Sequence, residues 1–189
     1  MTAFDKQAVA EKLAGISLTP ANRLFMDYWL SRHTEDGRPC ESDLPAEAIV
    51  RARRFTVTGE VKPGRSAVVV NTGPAIVNLL SYNLNGIDLI DVLAPALRPI
   101  RLERTAEIAR GAIAHNRQLL ITSHGEEFFL EEVIVPFGRL TYDGKRLCVT
   151  HVDFTPLADY PRKLIEKPDR PAVDCRYLDV GFKDAPRWA

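Results

Sequence analysis

The stretch GPAIVNLLSYNLNGIDLIDVL, residues 73–93, contains no basic residue and only two acids, Asp88 and Asp91, in a chain that is 26% charged. Residues that favour turns punctuate it: Gly73, Pro74, Asn83, Asn85 and Gly86. Glycine and asparagine suit backbone conformations that end helices and form tight turns. The stretch therefore predicts several short apolar helices joined by polar turns.

The composition of the whole chain limits its class. With 189 residues, one domain with extensions is expected. Its 25 basic and 25 acidic side chains give a net charge of +0, so no long-range field draws it to nucleic acid or to an anionic membrane. The first residues lack the hydrophobic run of a signal peptide, and no stretch approaches the roughly 18 apolar residues of a membrane span. A cytoplasmic protein is expected.

The spacing of the cysteines indicates the state of the thiols, and the spacing of apolar residues predicts two helices near the N-terminus. Cys40, Cys148 and Cys175 are an odd, widely spaced set without a Cys-x-x-Cys pair, so reduced thiols are expected instead of disulfides or a zinc site. Apolar residues at helical spacing predict helices over residues 3–14 and from Pro20, with Thr19 as the N-cap.

Alternating apolar and polar residues predict strands before and after the opening stretch. They cover residues 54–61, 66–70, 118–125, 126–137 and 146–154. The strongest helix is predicted over residues 99–116, with Ile100, Ile108 and Ala112 on its apolar side. The order of elements predicts an α+β fold with a five-stranded antiparallel sheet. Residues 1–49 are expected to form an N-terminal helical extension, 50–154 the core, and 155–189 a Pro-rich extended tail in which CRYLDVGF docks as a short strand.

This order resembles that of Per-Arnt-Sim (PAS) sensor domains, in which two strands lead through short helices to one long helix and three strands. The chain looks like a subgroup of stand-alone PAS-like domains of alphaproteobacteria, over about residues 20–154. It carries Tyr28-Trp29 and Gly37-Arg38-Pro39 near the start, and residues 73–86 resemble the motif Gly-Thr-x-Leu-x-x-x-x-Gly-x-Asp-Leu-Thr-Gly. Matching or similar residues are Gly73, Ile76, Asn83, Leu84, Asn85 and Gly86, whereas Pro74, Ser81 and Val70 depart from the pattern.

The resemblance implies a PAS-like sensory or regulatory module that binds a small molecule, a signalling protein partner, or both. Any ligand is expected between the short helices and the sheet, lined by Leu80, Tyr82, Leu84, Ile108, Ala112, Ile121 and Phe129. The alternative is a structural adaptor whose core is filled by its own side chains, with no ligand. The sequence does not identify a cofactor.

Other candidate chemistry is weakly supported by the sequence. His115 is expected at the end of the long helix, where haem-binding PAS domains present a ligand, but a histidine there is more simply a partner of the helix dipole. His151 and Asp153 share one strand face without a third metal ligand, and they are explained equally well as exposed strand residues. Glu127 and Glu131 are predicted to form a solvated face. Because no catalytic constellation appears, the chain is not expected to be an enzyme.

A homodimer is expected from the balance of apolar faces. The helix over residues 3–14 carries an apolar stripe, and the helix from Pro20 already suits the open face of the sheet. One stripe is left over in this reasoning, and a second copy offers the same stripe in return. The competing possibility is that the first helix folds back on its own domain.

Overall fold

The fold is seen in a computed structural model that describes residues 6–32, 53–93, 95, 98–121, 126–138, 141–156 and 174–178, with backbone alone at 118–121 and 174–178. The helices that lie wholly within the described residues are α1 (Lys6–Ala14), α2 (Pro20–Ser31), α3 (Pro74–Leu80) and α4 (Arg98–Ala109). The strands there are β1 (Thr56–Lys62), β2 (Ser66–Thr72), β3 (Ile113–Ile121), β4 (Glu127–Phe137), β5 (Arg146–Pro156) and β6 (Asp174–Leu178). No described helix is long and apolar enough to cross a membrane.

The strands form one sheet in the order β2-β1-β5-β4-β3-β6, and every neighbouring pair is antiparallel. The predicted α+β fold class, with its short helix, one longer helix and antiparallel sheet, is confirmed. A sixth strand joins the five predicted ones, because β6 from the predicted tail pairs along β3. The docking strand predicted around Cys175 is thereby confirmed.

The opening stretch folds as short elements, and one glycine shows why. A Cβ atom on Gly73 would lie 2.5 Å from the carbonyl oxygens of Arg53 and Arg54, so only glycine fits. Pro74 then begins α3, which ends at Ser81 in the left-handed conformation, and the side chain of Asn83 accepts a hydrogen bond from the backbone N–H of Asn85. The polar residues of this stretch therefore form the turns that were predicted for them.

The segment after these turns runs along the free edge of β2. The N–H of Gly86 donates to Val69, and that of Leu89 donates to Ala67, over 2.8 and 2.9 Å. The side chain of Asp88 accepts the N–H of Ala67 and of Ile90. One of the two acids of the opening stretch is thus used to fasten it to the sheet.

The long helix is shorter than predicted, and Gly111 gives the reason. Its φ of 104° is outside the range that other residues readily adopt, and its N–H bonds to the carbonyl of Ile108 as the helix ends. Chain that was predicted as helix up to residue 116 therefore forms β3 from Ile113 onward. The alternating Ile-Ala pattern there fits a strand as well as a helix, which explains the error.

The two faces of the sheet are covered by different helices. The inner face packs against α3 and α4, and the outer face packs against α1 and α2. On the outer face the helices bury Val9, Leu13, Phe25, Met26 and Trp29 against strand residues including Val133, Val135 and Val149. The stripe of α1 is therefore already packed within one chain, so the reasoning that left it over for a second copy was wrong.

Candidate functional site

The residues predicted to line a ligand site divide between two separate apolar clusters and other places. Ile108 is buried on the inner face with Ile134 and Cys148. Leu80 is partly buried at the edge of a second inner-face cluster, with Ile76 and Val152. These two predicted residues thus lie toward the same sheet face but in different clusters.

The other predicted residues do not gather around them as a group. Tyr82 is 56% exposed, Leu84 is partly exposed, and Ala112 is 9% exposed. Phe129 is buried, but it alternates with the inner-face Leu130 along β4, so it lies on the outer face. Ile121 pairs with Glu127 through its backbone, and its side chain lies outside the described residues.

Between the two inner-face clusters lies a set of polar residues that we call the polar belt: Thr150 on β5, Glu132 on β4 and Asn116 on β3. Thr150 pairs with Val57 and Ile134, and Glu132 pairs with Asn116 and Val152, so all three residues lie in the middle of the sheet. Asn116 donates from Nδ2 to Glu132 Oε1 over 2.7 Å. Thr150 and Glu132 remain partly exposed despite their central position, so the inner face is not completely filled there.

The outer face contains a buried polar cluster formed by Asn22, His115, Arg117, Glu131 and His151. Asn22 on α2 is fully buried, and it donates from Nδ2 to both the carboxylate and the backbone carbonyl of Glu131, over 3.0 and 3.2 Å. Glu131 also accepts the backbone N–H of Thr19 over 2.7 Å and Nε of Arg117 over 3.1 Å. A single carboxylate on β4 therefore holds the start of α2.

His151 completes this cluster from β5. Its Nδ1 lies 2.7 Å from Asn22 Oδ1, and its ring stacks on Phe25 with centroids 5.0 Å apart. Because the amide nitrogen of Asn22 is engaged with Glu131, its oxygen must accept, and His151 must carry its proton on Nδ1. The contacts fix both the orientation of the asparagine and the tautomer of the histidine.

His115 is held less completely. Its Nε2 lies 3.4 Å from Glu131 Oε2, and among the described residues neither ring nitrogen has a partner in hydrogen-bond geometry. The ring is 2% exposed. It is therefore a buried polar group with unused hydrogen-bonding capacity beside the carboxylate that holds α2.

Burial and hydrogen bonding shift the pKa values in this cluster. Burial raises the pKa of Glu131, but the neighbouring His115 ring and the donors from Thr19 and Asn22 outweigh it and lower the value to about 2. Burial lowers the pKa of His151 to about 4, with Asp153 opposing part of that change. The cluster is therefore stable with an ionised Glu131 and a neutral His151.

These positions correct three expectations drawn from the sequence. Glu131 is buried instead of solvated, whereas Glu127 is exposed as predicted. His115 lies on β3 and not at a helix end, so it is no partner of a helix dipole. His151 is buried as well. One available signal was missed, because Asn22 falls in the apolar stripe of α2, three residues before Phe25 and seven before Trp29.

Metal and thiol chemistry find little support in the described parts of the chain. No three His, Cys, Asp or Glu side chains there converge as metal ligands would. Cys148 is a small buried residue on the inner face, and burial raises the pKa of its thiol to about 12. Such a thiol is poorly nucleophilic at neutral pH.

Comparisons with known proteins give a weak structural likeness. One solved structure that the chain resembles is described as a fungal LOV domain photoreceptor, from a pathway integrating blue light and oxidative stress; the TM-score is 0.40 and the identity 15%, over 71% of this chain and 91% of that one. No family model and no curated protein matches the chain. The α+β fold class rests on the order of helices and strands described above.

Proposed function

We propose that the chain is a sensory or regulatory PAS-like module that binds a small molecule, a protein partner, or both, and has no catalytic output of its own. The observation that carries this proposal is the position of two consecutive residues of β4. Glu132 lies in the polar belt of the inner face, and Glu131 holds α2 on the outer face. A ligand that moves β4 from the inner side therefore acts directly on the contacts of the N-terminal helices.

The experiment examines the ligand and the response together. Native mass spectrometry of the purified full chain measures any retained non-protein mass. Hydrogen exchange then measures protection of the α2 amides in Thr150→Phe, which fills the centre of the inner face. Val70→Phe is the control, because it adds the same side chain to strand β2 at a position that is 49% exposed.

A sensor is expected to retain a molecule that Thr150→Phe excludes, and to change α2 exchange in that variant alone. If no mass is retained and α2 exchange is the same in both variants, the module is an adaptor. The adaptor is a real second candidate because both inner-face clusters contain buried, well-packed residues such as Ile108 and Ile76. In that case Thr150→Phe overpacks a filled core and costs about 1–3 kcal/mol.

Three finer proposals rest on the sequence. These are the homodimer, the cytoplasmic location and membership of the alphaproteobacterial subgroup. The homodimer was expected because the apolar stripe of α1 was counted as lacking a partner. That stripe is packed in the monomer, so this argument no longer supports a dimer. Light scattering on the full chain tests it directly, and a monomeric mass would end that proposal.

A further inference from the structure

The carboxylate of Glu132 on the inner face has few partners among the described residues. Its described hydrogen bond is the one from Asn116, and no described cationic side chain lies within ion-pair distance. On the neighbouring strand β5 it pairs with Val152, which belongs to an apolar cluster. A carboxylate offers about four acceptor positions, so most of its capacity is unused by the described residues.

Two threonines add polar groups to the same face. Thr150 lies between the two apolar clusters and is partly exposed. Thr72 pairs with Val57, in the same cross-strand row as Thr150, and is 8% exposed. Its hydroxyl oxygen has no hydrogen-bond partner among the described residues. Buried hydroxyls are nearly always bonded, and an unbonded one points to a missing partner.

The arrangement of apolar surface and carboxylate indicates the chemical class of a ligand for the inner face. The clusters on either side of the belt offer apolar surface, and Glu132 offers negative charge with acceptor positions that no described residue occupies. A charge-assisted hydrogen bond to a carboxylate is roughly twice as strong as a neutral one, whereas an anion would meet repulsion. We infer that the inner face binds a small molecule with an apolar body and a primary ammonium group, whose N–H groups bond to Glu132.

This inference rests on the proposed ligand-binding function and names the ligand class for the same site. The probe is phenethylammonium, with phenethyl alcohol and phenylacetate as its neutral and anionic counterparts of similar size. Each is titrated into the full chain while methyl and amide NMR signals are followed. The expected order of affinity is ammonium first, alcohol second and carboxylate last.

The decisive variant is Glu132→Gln, which keeps a carbonyl to accept the bond from Asn116 and removes the charge. It is expected to weaken phenethylammonium binding by about ten-fold or more and to leave the alcohol nearly unchanged. Glu127→Gln is the matched control: it makes the same change on the same strand at an exposed position, and it should leave both affinities unchanged. Thermal unfolding confirms that the Gln variants are folded.

Three results overturn the inference. They are equal affinities for ammonium and alcohol, an undiminished ammonium affinity in Glu132→Gln, and no binding of the ammonium probe at about 1 mM. If native mass spectrometry nevertheless finds a neutral or anionic molecule that Thr150→Phe excludes, the ligand class is wrong while the sensory function stands. If it finds no retained molecule and no probe binds, the ligand class and the small-molecule part of the proposed function both fail.

Discussion

Asn22→Ala should be among the most destabilising single changes on the surface between α2 and the sheet. The side chain is fully buried and makes contacts to two different strands. Its removal leaves the Nδ1–H of His151 buried without an acceptor, and it takes one donor from the carboxylate of Glu131. Leaving a buried donor unsatisfied costs about 1–3 kcal/mol, and losing a hydrogen bond to a charged group costs a similar amount.

The expected loss in the free energy of unfolding is about 3 kcal/mol, since the two contributions overlap and the intrinsic helix preference for alanine offsets part of them. For a chain of this length, that loss lowers Tm by roughly 6–12 °C. Urea unfolding followed by far-UV circular dichroism measures it. Asn78→Ala is the control, because Asn78 is an exposed asparagine within α3 and gains the same helix preference without losing a buried contact.

The difference between the two variants isolates the buried contacts. If Asn22→Ala lies within about 0.5 kcal/mol of Asn78→Ala, the range typical of surface substitutions, then the polar cluster does not hold α2. The account of the outer face would in that case be wrong.

Three further outcomes are expected. The folded-state pKa of His151 is about 4, against an ordinary value of 6.5, so the free energy of unfolding should fall by roughly 3 kcal/mol as the pH drops from about 6.5 to 4. In His151→Gln the urea midpoint should depend less on pH across that window, and an unchanged pH dependence contradicts the assignment. Arg146 is fully buried and donates to Ala109 and Gly138 carbonyls, so Arg146→Met should cost about 2–4 kcal/mol in urea unfolding, against almost nothing for the exposed Arg65→Met. Deleting residues 174–189 should speed amide exchange in β3 between Ile113 and Arg117, where β6 pairs; unchanged exchange would show that this pairing gives no protection.

The fold was largely predictable because its signals are local. Alternation marks the strands, and Thr19 and Pro20 mark the start of α2, where the Thr19 side chain accepts the N–H of Asn22 as an N-cap should. The boundary between α4 and β3 was not predictable from periodicity, because Ile and Ala at residues 112–114 fit both periods. Gly111 was the informative residue there. The segments 33–52 and 157–173 lie outside the described residues.

The candidate site was less predictable because it depends on register. Whether Phe129 or Leu130 faces inward is decided by pairing with β5, which the sequence alone does not fix. Likewise Glu131 and Glu132 look equivalent in the sequence. Only the docking of α2 on one face makes the first a buried hydrogen-bond acceptor and leaves the second in the polar belt.

The contact between Thr19 and Glu131 also has a consequence for biosynthesis, because the two residues are 112 positions apart. At about 5–20 residues per second, α2 leaves the ribosome roughly 6–20 seconds before the strand that receives it. During that interval Phe25, Met26 and Trp29 have no sheet to cover them. The nascent chain is thus exposed to aggregation over this period, and general chaperones that bind apolar segments are expected to engage these residues.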